Sequence, residues 1–183
     1  VRAMGQGTRN RGHVRTAVMA AAVAVLAAIA TACTPPSTNP DGSIPQNAPL
    51  SAHGLAPEGS ELWAADLLGG QLVRFDPATG VISERYGAAE GLCRPDDVAV
   101  LPGGDLAATC PGQGLVIRVH RGGTASVLAA VGTGVNPIVV DPSGTSVLVG
   151  FTYDGDDRLL RVPLDGGPVQ VVASGLPALA GFG

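Results

Sequence analysis

The chain repeats itself with a period of forty-odd residues, and that period limits its architecture more than any other feature. An apolar run with an Arg at its end recurs as QLVRFD (71–76), LVIRVH (115–120) and LLRVPL (159–164), so Arg74, Arg118 and Arg161 lie 44 and 43 residues apart. An earlier apolar run recurs with it: ELWAAD (61–66), DLAATC (105–110) and SVLVGF (146–151). Each of these follows a Pro-Gly turn, at Pro57, Pro102 and Pro142. A further turn (DPATG, HRGG, LDGG) then leads into another β-rich run (VISERY, TASVLAA, PVQVVAS). Four short strands per copy at this spacing describe the blades of a β-propeller. Each such sheet is apolar on both faces and must stack on its neighbours. A two-sheet sandwich would also use short strands, but it does not explain why Arg, Pro-Gly and turn keep one register. Val98, Val100, Leu106, Val116, Val119, Val139, Leu148 and Val162 are the expected contacts between blades.

The fold class is therefore all-β, a partial β-propeller of about three four-stranded blades out of an expected six. The blades occupy 55–183, and GLPALAGFG at the C-terminus reads as the start of a fourth. A chain ending here exposes a blade edge, which invites self-association.

The first residues differ in kind. Arg2, Arg9, Arg11 and Arg15 precede TAVMAAAVAVLAAIATAC, an apolar run of about 16 residues that ends in small side chains. A basic flank, a short apolar stretch and an Ala-x-Ala site describe a secretory signal peptide over 1–32. The run is short for a membrane span, which needs roughly 20 apolar residues. Ala30-Thr31-Ala32-Cys33 also resembles a bacterial lipobox, in which Cys33 is lipidated and becomes the new N-terminus. Simple cleavage after Ala32 is the alternative. Residues 33–54, rich in Pro, Asn and Ser, suit a flexible tether between an acyl anchor and a folded body. The expected location is the extracytoplasmic side of the cell membrane, or secreted or periplasmic if Cys33 is not acylated.

Removing the leader leaves seven Arg against fifteen Asp and Glu, a net charge of −8. The sequence has no Lys, one Trp, two Tyr and three Phe. An acidic chain without a basic stripe or stacking aromatics excludes nucleic acid as a partner.

In a propeller the D–A and B–C loops share one face, which gathers Arg94, Asp96, Asp97, Cys110, Asn136 and the YDGDD loop (153–157) at one mouth. Three stretches, LWAADLLGGQLVRFDPATG, RPDDVAVLPGG and NPIVVDPSG, resemble the gluconolactonase/senescence-marker-protein (regucalcin-like) family, in its N-terminal half only. The resemblance implies a six-bladed propeller whose members often hydrolyse lactones with a divalent cation (Ca, Zn or Mg) in the channel. There a Glu, an Asn and an Asp hold the metal, while an Arg and an Asn bind substrate. It places Asn136 at the metal-binding Asn, Arg94 at the substrate Arg, and Asp96 where the substrate Asn is expected. Ser51 falls where the metal Glu is expected, and the metal Asp would lie beyond Gly183. A hard cation in such a site polarises a carbonyl and activates water.

Two functions follow. In one, the complete protein is a metal-dependent lactone hydrolase and this chain alone is inactive; in the other, it is a non-catalytic propeller binding a small lactone or sugar-like ligand, or a protein partner. Each residue also has a purely structural reading: Asn136 satisfying backbone groups, Asp96 and Asp97 shaping a turn, Arg94 pairing with one of them. The DGDD segment resembles the start of a calcium loop but lacks the rest of the spacing, so a solvated hairpin is expected. His53 and His120 show no ligand spacing. Cys93 and Cys110 fall close together across the expected hairpin. Export permits a disulfide between them, with two buried thiols as the alternative.

Overall fold

The computed structural model describes residues 51–152 and 155–182. The proposed leader, Cys33 and all but the last residues of the tether lie outside that range. The first strand begins at Ala52, three residues ahead of the expected start of the blades.

Twelve strands form three four-stranded antiparallel sheets, each a meander in chain order. Blade 1 holds β1 (Ala52–Glu58), β2 (Glu61–Asp66), β3 (Gln71–Phe75) and β4 (Ile82–Tyr86). Blade 2 holds β5 (Asp97–Val100), β6 (Leu106–Cys110), β7 (Leu115–Val119) and β8 (Ala125–Ala130). Blade 3 holds β9 (Val135–Val140), β10 (Ser146–Phe151), β11 (Leu159–Pro163) and β12 (Gln170–Ala173). The leading strands β1, β5 and β9 lie side by side, which makes them the inner strands of consecutive blades. No helix among the described residues is long and apolar enough to cross a membrane.

The repeated Arg has a local task. Arg74 contacts Glu61 at 2.8 Å and Glu58 at 3.2 Å, Arg118 contacts Asp105 at 2.8 Å, and Arg161 contacts Asp141 at 3.1 Å. Every one of these acids flanks an A–B turn, so the Arg on the third strand ties down the hairpin made by the first two. In blade 3 the acid moves from after the turn to before it, and the Arg follows. The joint between β6 and β7 needs a glycine for two reasons. Gly114 adopts φ +68°, and a Cβ there would sit 2.8 Å from Thr133 N in the loop that leads to blade 3. Its carbonyl accepts from Val131 N at 2.9 Å and Gly132 N at 3.2 Å, fastening that loop to the turn.

Strands with both faces buried make two apolar layers. Trp63, Leu72 and Tyr86 of blade 1 meet Val98, Leu106, Ile117 and Val119 of blade 2. On the other side of blade 2, Ala107 and Val116 meet Val135, Ile138, Val147, Val149, Phe151, Leu160 and Val162. Full burial of a side chain such as Leu106 is worth roughly 1.5–3 kcal/mol, and stacking of this kind holds blades together. Most of the expected inter-blade contacts sit in these layers. Val139 and its cross-strand partner Leu148 do not: Val139 is 37% exposed and Leu148 half-buried, because Ile138 takes the position facing blade 2 and the next side chain must point away. Residues 177–182 form no strand. Leu179 instead returns to the end of β10, donating to Phe151 O at 2.9 Å while Thr152 Oγ1 donates to its carbonyl at 2.5 Å.

Candidate functional site

The upper ends of the inner strands are positioned by polar side chains in the loops. At blade 1, Asp66 is buried and accepts from Ser51 N and Gly69 N, both at 3.0 Å, and from Gln71 Nε2 at 2.6 Å. This anchors the start of β1 and directs His53, on β1, to the mouth. At blade 2, the backbone of Asp96 donates to Thr109 O at 2.9 Å. Cys93 and Cys110 are joined there, Cα atoms 6.0 Å apart, which ties the loop before β5 to the end of β6. At blade 3, Ile138 N donates to Asp97 Oδ2 at 2.9 Å and so aligns β9 against β5. Burial pushes the Asp97 carboxyl above the usual range, and neighbouring Asp96 adds to this; the N–H groups of Ile138 and Val98 offset only part of it.

Two side chains, one from blade 1 and one from blade 3, converge on Asp96 at the entry to blade 2. Its carboxylate is 3% exposed. His53 Nδ1 of blade 1 lies 2.7 Å from Oδ1, a close contact that is not aligned as a hydrogen bond. Asn136 Nδ2 of blade 3 donates to Oδ2 at 3.2 Å. Two buried oxygens here, Asp96 Oδ1 and Asn136 Oδ1, accept no hydrogen bond, an arrangement that costs folding free energy unless a ligand or water uses them. His53 and Asp96 border a depression of about 500 Å³, lined also by Leu67, Pro111, Gly112, Thr133 and Gly134. Arg94 stands exposed, its Nε donating to Leu67 O at 3.2 Å. It pairs with neither Asp96 nor Asp97.

The structure thus brings Asp96 and Asn136 into direct contact, and Arg94 bonds to a residue of the same depression. Ser51 is held by its backbone to Asp66 and offers a hydroxyl, not a carboxylate. Of the YDGDD segment, residues 153 and 154 lie outside the described residues; in the remainder Asp156 accepts from Arg158 Nε at 2.9 Å. Among the described residues no three His, Cys, Asp or Glu side chains are grouped to hold a metal. The oxygens of Asn136 and Asp96 nevertheless suit a hard cation as part of a larger cage. His53 is the residue that sequence reasoning missed. Placing β1 two residues earlier would have found it, since it then falls at the top of an inner strand.

Three blades with a polar mouth at the inner-strand ends define a β-propeller. Solved propellers of several kinds share this fold. A gluconolactonase from Xanthomonas campestris matches with a TM-score of 0.55 at 20% identity, covering 67% of this chain and 47% of that one. Virginiamycin B lyase from Staphylococcus aureus, in an inactive variant with quinupristin, matches with a TM-score of 0.58 at 13% identity, over 77% of this chain and 48% of that one. A chain of a nidogen/laminin complex matches with a TM-score of 0.58 at 19% identity, over 70% and 50%. This chain spans about half the length of each. No family model and no curated protein matches.

Proposed function

We propose that this chain supplies three blades and part of the top-face site of an exported, lipid-anchored propeller that hydrolyses a lactone with the help of a divalent cation. The observation that carries this reading is the pair of buried, hydrogen-bond-deficient oxygens on Asp96, which lines an open depression, and on Asn136, which is bonded to it. Asn136 Oδ1 would be one ligand, with Asp96 supplying negative charge next to it and Arg94 reaching the substrate from the rim. A bound Ca, Zn or Mg ion would polarise the substrate carbonyl. The remaining ligands would come from further blades.

Calorimetric titration of the complete propeller, this chain together with its further blades, with each cation tests this. Binding is expected, and Asn136→Ala should weaken it by about tenfold or more, the usual cost of losing a metal-site residue. Absence of binding, or binding indifferent to the substitution, would overturn the reading. The Ser at position 51 favours a second reading, a non-catalytic propeller that binds a lactone or sugar-like ligand. Under that reading, ligand affinity survives Asn136→Ala without any cation.

A further inference from the structure

The mouth contains a second chemical device, one that needs no metal. His53 approaches a buried carboxylate with Nδ1 and borders the depression with the rest of its ring, whose side chain is 42% exposed. Among the described residues Nε2 has no partner. The carboxylate is held in place: Asn136 Nδ2 bonds its other oxygen, and its backbone is bonded to Thr109. Among the described residues no guanidinium is paired with it.

The chain carries its own control. His120 Nδ1 also faces a carboxylate, hydrogen-bonded to Asp105 Oδ2 at 3.0 Å, but Asp105 accepts as well from Arg118 Nε at 2.8 Å and Arg121 N at 3.1 Å. That carboxylate is already paired with an Arg. Asp96 has its charge available for one imidazole. The torsion that turns an imidazole ring is soft, so a small rotation aligns Nδ1–H with Oδ1.

We infer that His53 and Asp96 form a proton-transfer pair, with Asp96 holding the Nδ1–H tautomer so that bare Nε2 faces the ligand as a general base. This rests on the hydrolytic reading above. Nε2 takes a proton from water as the water oxygen bonds to the lactone carbonyl carbon. The ring C–O bond then breaks, and the same proton passes to the departing alkoxide, giving the hydroxy acid. Fixing the tautomer by a buried carboxylate is what such a pair requires.

The test uses the whole chain without metal, with long-range ¹H–¹⁵N spectra at about pH 8, where an ordinary imidazole is neutral. Signals are assigned with His13→Gln, His53→Gln and His120→Gln variants. His53 is expected in the Nδ1–H form. Diethyl pyrocarbonate should acylate it several-fold faster than His120. Asp96→Asn should abolish both signatures, and Asp96→Glu should restore them in part, which separates loss of the pair from loss of the fold. The opposite tautomer, or reactivity indifferent to Asp96→Asn, overturns the pair. In a separate cation titration His53→Gln should leave affinity within about twofold; a loss of about tenfold would make His53 a metal ligand instead and overturn the base role. If the complete propeller binds no cation, the metal reading falls, while the tautomer and acylation results still decide the pair.

Discussion

At Gly54 the inner strands of blades 1 and 2 run so close that a side chain has no room. A Cβ built there would lie 2.6 Å from Asp97 Cα and overlap the Asp97 carboxylate. Gly54→Ala is therefore expected to cost about 3 kcal/mol, at the upper end of overpacking penalties, because backbone must move. A drop in the urea midpoint with an unchanged slope would check this; a midpoint within error would show that the blades can part. The neighbouring His53 owes its place at the mouth to the same close approach. The repeated Arg residues teach the converse lesson. Arg74, Arg118 and Arg161 were the most legible positions in the sequence, yet each serves a hairpin at the opposite end from the candidate site. Periodicity marks what every blade needs. A functional site uses what only some blades have.

Among the elements, the loop from β4 to β5 is the one most dependent on side-chain chemistry. It contains a short 3₁₀ turn, Ala88–Glu90, and then Cys93, Arg94 and Asp96 before β5 begins. The Cys93–Cys110 link closes a span of 17 residues, and a loop of about that size is worth about 3 kcal/mol. Cys93→Ser with Cys110→Ser should lower stability by that amount, measured by urea unfolding against the oxidised protein. The loss should match what reduction with a thiol produces in the unsubstituted chain. Equal stability of the reduced and oxidised forms would mean the two cysteines serve as buried thiols. The same loop carries Arg94 and Asp96, so its loosening should also weaken whatever the mouth binds. The proximity of Cys93 and Cys110 could be read from the hairpin, since residue 110 must lie beside 96 when the turn falls at 102–104. The bond from Arg94 to Leu67 O could not, because Leu67 belongs to another blade.

Across the whole set of blades, contacts differ between the two ends. Opposite the mouth, Arg121 of blade 2 reaches Glu58 Oε1 and Glu84 Oε2 of blade 1, each at 2.9 Å, and lies 5.2 Å over the Trp63 ring. Burial pushes the Glu58 carboxyl upward, but the hydrogen bonds from Trp63 and Arg121 and the charges of Arg121 and Arg74 outweigh it, so the group sits below its ordinary 4.5. A lowered carboxylate stabilises the fold above the unfolded value and loses that contribution as pH falls through the folded one. Glu58→Gln should thus destabilise the chain near neutrality and matter progressively less below about pH 4.5, flattening the acid limb of stability against pH. An acid limb parallel to that of the unsubstituted chain would deny the latch its role. By itself the sequence determined the number of strands per blade, their order and the register of their turns. Those follow from local chemistry: Pro and Gly at turns, apolar runs of strand length, an Arg matched to an acid in the same blade. Only the tertiary structure decided that His53, Asp96 and Asn136 meet. They stand about forty residues apart in three different blades, and nothing local encodes their contact; it arises because stacked blades bring successive inner strands to a common mouth.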